Sequence, residues 1–378
     1  MAKRKVLILT AQLTGGGVEK IMQDVANYLA SREDQYEVTV VSLIGADAGR
    51  EFLADNITVK GVFRSEAAYK KWSPAWIGFR VKQLVYCISL TMGHYDVVLT
   101  IKDHWFIKLL AHMKANRKIA WVHSTSITKN EWVDGVYYHS SEEIRQCMER
   151  CDEVICVSEY VKDCIINYCG DPGNLRVCYN PLNVLEIAEK AAAPLEAVPA
   201  RAVRPVFVAV NRLSSEKNMA TLLEAVDRLN RDYKFSLWIV GDGEKKEALE
   251  KYIHEHHIEN VTMFGWQNNP YPFMKAADWF VSTSKAETFG LTIQEANILG
   301  KPGLVAYLPV FDECVDPEKN ILVENSCEGV CEGMKHILDG KAEFTMNTDL
   351  VQLHQEFYTN RIEAIERVIL DRQAARIE

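Results

Sequence analysis

No apolar run in the 378-residue sequence approaches the roughly 20 residues that a membrane-spanning helix needs, which excludes a helical span. Positive charge is not in surplus either. With 43 Lys and Arg against 52 Asp and Glu, the net charge of −9 excludes a general nucleic-acid binder. The 10 cysteines contain no Cys-x-x-Cys pair: Cys147/Cys151, Cys164/Cys169 and Cys327/Cys331 are spaced too widely. That excludes a zinc ribbon and leaves the expectation of reduced thiols in a cytosolic protein. His254, Glu255, His256 and His257 lack the His-Glu-x-x-His spacing of a helical zinc site and read as a solvated helix end. Asp-x-Asp, an acidic pair able to hold a metal on a diphosphate, is absent, and no metal site is expected. Gly-x-Gly-x-x-Gly is absent too, because Gly15-Gly16-Gly17 runs into Val18, Glu19 and Lys20.

What is present is ordinary globular material, 48% apolar and 25% charged, in a chain long enough for two domains with separate cores. The N-terminal MAKRKVLILTAQLTGGG has basic residues before an apolar run of only about seven, which reads as a first β-strand rather than a leader. Strand patterns at 5–11, 37–44, 57–63, 97–100, 118–123, 153–158 and 176–179 alternate with helical stretches. A second series runs from 205 through 236–240, 261–265, 277–282, 303–308 and 321–323. Such alternation predicts doubly wound parallel sheets, whose ligands bind beyond the carboxyl ends of strands. Residues 186–204, rich in Ala, Pro and charge, read as an exposed connection. The expected division is 1–185, a linker 186–204, 205–355, and a closing helical segment 356–378.

The richest stretch is Ser282 to Ala306, STSKAETFGLTIQEANILGKPGLVA. An apolar strand ends there, a polar turn follows, and a helix is predicted from about Gly290 to just before Gly300. Glu287 and Glu295 stand eight positions apart with the helix start between them, roughly 10 Å along a helical axis. A helix N-terminus suits a phosphate, and flanking carboxylates suit hydroxyls. A sugar at Glu287, a diphosphate at the helix start and a ribose at Glu295 fit those dimensions.

The string ETFGLTIQEA resembles the donor-site motif of glycosyltransferase family 4, retaining nucleotide-sugar transferases of the GT-B fold. The resemblance implies an α/β chain of two Rossmann-like, doubly wound domains facing each other across a donor/acceptor cleft. The first would bind the acceptor, the second the nucleotide sugar, and the terminal helix would cross back to the first. It further implies that Glu287 contacts the donor sugar, Glu295 the ribose, and the backbone of Phe289, Gly290 and Leu291 the sugar and phosphate. Asn211-Arg212-Leu213-Ser214-Ser215-Glu216-Lys217 matches the family turn in which Arg212 and Lys217 clamp the diphosphate, with Asn211 where a Gly is common. Gly16 and Gly17 match a loop placed against the donor phosphates, Gly241 a turn bordering the nucleotide, and Gly265 with Trp266 the place that cradles the base. Trp121-Val122-His123 resembles a segment that would bring His123 near the reacting centre. Lys102-Asp103-His104 also follows a strand and is an acceptor-side candidate. Asn183 stands where the family usually has Asp and receives no role.

The resemblance implies metal-independent transfer of a hexose or N-acetylhexosamine, with a UDP-sugar favoured, to a glycan or lipid-linked acceptor in cell-surface polysaccharide biosynthesis. The mechanism would be front-face with retention, since Glu287 and Glu295 are too far apart for a glycosidase-like carboxylate pair at about 5 Å. An inverting GT-B transferase with His123 as base and an inactive nucleotide-sugar-binding protein are the alternatives. Between residues 64 and 90, Lys70, Lys71, Arg80 and Lys82 mingle with Trp72 and Trp76. The mixture fits either an amphipathic helix covering the sheet or peripheral docking of a cytoplasmic protein on the inner membrane face.

Overall fold

A computed structural model describes residues 2–44, 48–63, 94–124, 133, 138–195 and 202–370. The basic and aromatic stretch 64–90 lies outside the described residues. The chain forms two compact units, Met1–Pro181 with Thr359–Glu378, and Leu182–Tyr358.

Among the described residues the first unit holds a seven-stranded parallel sheet. Its strands are β1 (Arg4–Thr10), β2 (Tyr36–Ile44), β3 (Thr58–Phe63), β4 (Val97–Thr100), β5 (Arg117–Val122), β6 (Glu153–Cys156) and β7 (Leu175–Val177). The spatial order β3-β2-β1-β4-β5-β6-β7 reverses direction between β1 and β4, which opens a crevice at their carboxyl ends. Val6 to Leu9 are wholly buried, because helices cover both faces of a parallel sheet and the strand must be apolar throughout. Ser140 and Ser158 cap the helices Ser141–Glu149 and Glu159–Cys169 by accepting the N–H groups of Glu143 and Val161.

The helix Asn360–Leu370 also belongs to this unit. Its buried Glu366 accepts the hydroxyls of Tyr28 at 2.9 Å and Tyr36 at 2.8 Å, and Arg32 pairs with it at 3.3 Å. Buried Arg117 donates to the Val368 carbonyl at 2.9 Å.

The second unit has six parallel strands among the described residues, in the order β10-β9-β8-β11-β12-β13. They are β8 (Val206–Val210), β9 (Ser236–Val240), β10 (Val261–Gly265), β11 (Trp279–Ser282), β12 (Gly303–Ala306) and β13 (Asn320–Val323). The helices Met219–Leu229 and Cys327–Leu338 bury Leu222, Leu223, Val226, Val330 and Met334 against Phe207, Leu237, Ile239 and Leu304. The crevice here lies between β8 and β11.

Two expectations need correction. The connection expected over 186–204 begins as a helix, Val184–Ala191, capped by Asn183, whose side chain accepts the Glu186 N–H at 3.3 Å. An Asn serves a helix N-cap as well as an Asp does. This helix packs on Tyr271–Ala276 and Leu350–His354 and buries Val184, Ile187 and Ala191. The closing helical segment expected from 356 opens instead in a wide turn that continues a preceding short helix. Leu350–His354 passes into a wide π turn at Gln355–Thr359 before Asn360–Leu370 resumes, and the interruption coincides with the boundary at Tyr358.

Candidate active site

In the second unit the turn after β8 is locked from below by the turn after β9. Asn211 donates to the Val240 carbonyl at 3.1 Å, Leu213 to Asp242 at 2.9 Å, and Lys245 back to Leu213 at 2.9 Å. A Cβ at Gly241 would lie 1.8 Å from the Asn211 carbonyl oxygen, and one at Gly243 2.5 Å from that of Leu213. Gly241 also has φ +142. Both glycines therefore exist for this backbone-on-backbone contact. Ser215 N–H adds a bond to the Glu244 carboxylate at 3.2 Å.

The same turn is stitched to the loop after β11. Buried Thr283 donates to the carbonyls of Lys217 and Asn218 at 3.3 and 3.2 Å, and Lys285 N–H to Glu216 at 2.7 Å. Asn218 takes the left-handed conformation, φ 50, turning the chain from the short 3-10 turn Ser215–Lys217 into the next helix. Lys217 Nζ then meets Glu287 Oε1 at 2.5 Å across the crevice. The same oxygen accepts the Ser284 hydroxyl at 2.8 Å, and Ser284 is itself fixed by Asn325, which donates to its carbonyl at 2.8 Å. Arg212 is exposed, with no ion-pair partner among the described residues.

Phe289 is buried and its carbonyl accepts Gln294 Nε2 at 2.9 Å. Gly290 follows at φ +66, where Phe311 and Ile293 would crowd a Cβ at 3.3 to 3.4 Å, and the helix Leu291–Ile298 starts directly after it. Glu295 is half-buried in that helix, and its Oε1 accepts the hydroxyl of Tyr271 at 2.9 Å. At the end of β10, Gly265 at φ +69 gives its carbonyl to Gly241 N–H at 2.8 Å. Trp266 beyond it is 57% exposed, its indole N–H on Asn268 at 3.1 Å. The second unit thus gathers Arg212, Lys217, Glu287, the Gly290 turn, Glu295, Gly241, Gly265 and Trp266 on one carboxyl edge of one sheet.

In the first unit, exposed Gly16 and Gly17 open the helix Gly17–Ser31 after β1. Lys102, following β4, reaches 2.5 Å from Oε1 of buried Glu19, an ion pair outside hydrogen-bond angles. Each unit therefore carries a Lys–Glu pair at the reversal point of its sheet. Asp103 accepts the His123 N–H at 3.2 Å. Burial raises its carboxyl above the usual range despite the N–H groups of His123 and Ser124 and the Lys102 charge. His104 sits at φ 59, its carbonyl accepting the Tyr138 hydroxyl at 2.9 Å. His123 is buried at the end of β5 beside Trp121, and its Nε2 has no partner among the described residues. Burial first, and the Lys102 charge second, pull its pKa down to about 3.

Sequence reasoning missed Thr283, Ser284 and Tyr271. Ser284 and Thr283 lay inside the quoted stretch with no spacing to mark them. Tyr271 meets Glu295 only because two helices 24 positions apart converge.

A family model described as glycosyl transferases group 1 matches residues 196–350, and one described as glycosyltransferase family 4 matches residues 15–184. The lipopolysaccharide core biosynthesis glycosyltransferase LpsE of Rhizobium meliloti is 33% identical over 153 residues, 37% of this chain and 43% of that protein. The N-acetylgalactosamine-N,N'-diacetylbacillosaminyl-diphospho-undecaprenol 4-alpha-N-acetylgalactosaminyltransferase of Campylobacter jejuni is 33% identical over 138 residues, 36% of this chain and 36% of that protein. The chain thus spans less than half the length of these relatives. Anabaena HepE in complex with UDP and glucose is similar in structure, with a TM-score of 0.72 at 18% identity over 97% of this chain and 99% of that one. That likeness is one of fold, two parallel-sheet α/β domains of the GT-B type. The family 4 model takes in β2 to β7 of the first sheet and its companion the whole of the second, and the protein belongs to glycosyltransferase family 4.

Proposed function

We propose that the chain is a retaining hexosyltransferase that moves a hexose or N-acetylhexosamine from a nucleotide sugar, UDP-linked, to a glycan or lipid-linked acceptor in cell-surface polysaccharide biosynthesis. The observation that carries this reading is the Lys217–Glu287 pair at the crevice of the second sheet, with exposed Arg212 on the same turn. Two cations there match a leaving diphosphate, whose charge grows as the bond to the anomeric carbon breaks. The leaving phosphate oxygen keeps the bonding electrons and takes the acceptor hydroxyl's proton, while the acceptor oxygen bonds to the same face of the sugar. No enzyme nucleophile enters that balance. Glu287 hydrogen-bonds the donor sugar and Glu295 the ribose. The acceptor class follows the kind of relative, one in lipopolysaccharide core biosynthesis and one acting on a diphospho-undecaprenol glycan. The choice of UDP is supported by HepE, a protein of the same fold whose structure holds UDP.

The inverting alternative asks His123 to act as base. An imidazole held near pKa 3 is neutral throughout the working range and a weak proton acceptor, which favours retention with His123 as a neutral hydrogen-bonding group. The test is release of nucleoside diphosphate from a panel of UDP- and GDP-sugars, followed by NMR of the product's anomeric carbon. Turnover of a UDP-sugar with its configuration kept is expected. Inversion would remove the mechanism, and binding without turnover on any acceptor would favour the inactive binding protein.

A further inference from the structure

We propose that Tyr271 is a positioning residue for nucleotide recognition: its hydroxyl sets the Glu295 carboxylate for the two hydroxyls of the ribose. The inference rests on the assignment of Glu295 to the ribose. Tyr271 is 7% exposed and opens the short helix Tyr271–Ala276 after β10. Its own N–H donates to Asn269 Oδ1 at 3.3 Å, while Asn269 Nδ2 donates to the Lys190 carbonyl at 2.8 Å. The phenol is therefore delivered from a backbone anchored at two points and a ring held in the core. Its oxygen lies 2.9 Å from Glu295 Oε1.

Glu295 projects from a helix whose neighbouring Ile293, Ala296 and Ile298 are buried. A glutamate there has three side-chain torsions to fix before it can meet two adjacent hydroxyls at once. A bond to a rigid, buried phenol removes most of that freedom before the nucleotide arrives, and preorganisation of this kind increases affinity without a new contact to the ligand. The phenol also supplies a donor to a carboxylate that the apolar surroundings would otherwise penalise. Both effects act on the ribose alone.

The experiment is calorimetry on the full chain with UDP and with 2′,3′-dideoxy-UDP, for the parent, Tyr271→Phe, Glu295→Gln and the double variant. Tyr271→Phe keeps the ring, and thermal melting checks that it folds. The parent is expected to prefer UDP. Tyr271→Phe should bind UDP about 3- to 10-fold more weakly and dideoxy-UDP unchanged, so that the preference narrows. Glu295→Gln should abolish the preference, with Tyr271→Phe adding nothing in that background. Equal weakening toward both ligands would make Tyr271 a packing residue and overturn the proposal, as would no change toward either. A parent preference that survives Glu295→Gln would instead overturn the ribose assignment itself, a result independent of what Tyr271→Phe does.

Discussion

Lys217 and Glu287 neutralise one another at 2.5 Å, with Ser284 sharing the same carboxylate oxygen. The geometry holds the ammonium at the crevice before any donor arrives, so no rotamer search is needed when charge develops on a leaving phosphate. Arg212→Ala and Lys217→Ala are each expected to lower kcat by about 100-fold or more in steady-state assays with the preferred donor. A rise in KM alone would show that the cations bind ground and transition states equally. These residues were legible in the sequence because strand, turn and motif coincide around them. Thr283, Ser284 and Tyr271 were not, since Thr283 meets Asn218 65 positions away, Tyr271 meets Glu295 24 positions away, and Ser284 is held for Glu287 by Asn325 41 positions on.

At the scale of elements, the turns carry more constraint than the strands. Gly241→Ala would drive a Cβ to within 1.8 Å of a backbone oxygen that cannot swing away, whereas Gly340, also at positive φ, has nothing within 4 Å. Gly241→Ala is expected to cost about 3 kcal/mol or more, and Gly340→Ala only about 1 kcal/mol of backbone strain. The denaturant midpoints of the two variants measure this; equal shifts would mean that strain alone, not the contact with Asn211, fixes Gly241. Strand positions were readable to within a few residues because parallel strands buried on both faces are continuous apolar runs, as in Val206–Val210. The helix Val184–Ala191 was not, because alanine and charge at a domain boundary look alike whether they face solvent or a neighbouring helix.

Two electrostatic arrangements bear on the whole molecule, one at the site of the second unit and one within the first unit. Among the described residues no group of three His, Cys, Asp or Glu side chains converges on a metal position. With Arg212 and Lys217 assigned to the diphosphate, activity should survive EDTA largely intact. An absolute need for Mn²⁺ or Mg²⁺ in dialysed enzyme would count against that assignment.

The second arrangement holds the helix Asn360–Leu370 within the first unit. Burial, then the hydrogen bond and charge of Glu366, push the Tyr28 phenol up to about 12 and hold that of Tyr36 well above its ordinary value of 10. A phenol whose folded pKa exceeds its unfolded one contributes stability that is complete below pH 10 and is lost as pH climbs through the folded value. The clasp on the helix Asn360–Leu370 should therefore hold from neutral pH to about pH 10 and weaken toward pH 12. Denaturant midpoints taken from pH 8 to 12 should fall more steeply at the alkaline end for the parent than for the double variant Tyr28→Phe, Tyr36→Phe. That variant begins less stable at pH 8, because the Glu366 carboxylate loses two donors while remaining buried. Parallel curves for the two proteins would mean that the phenols ionise together with the rest of the surface, and that the helix Asn360–Leu370 is held by buried Ile362, Ile365, Val368 and Ile369 and by the Arg117 bond to Val368.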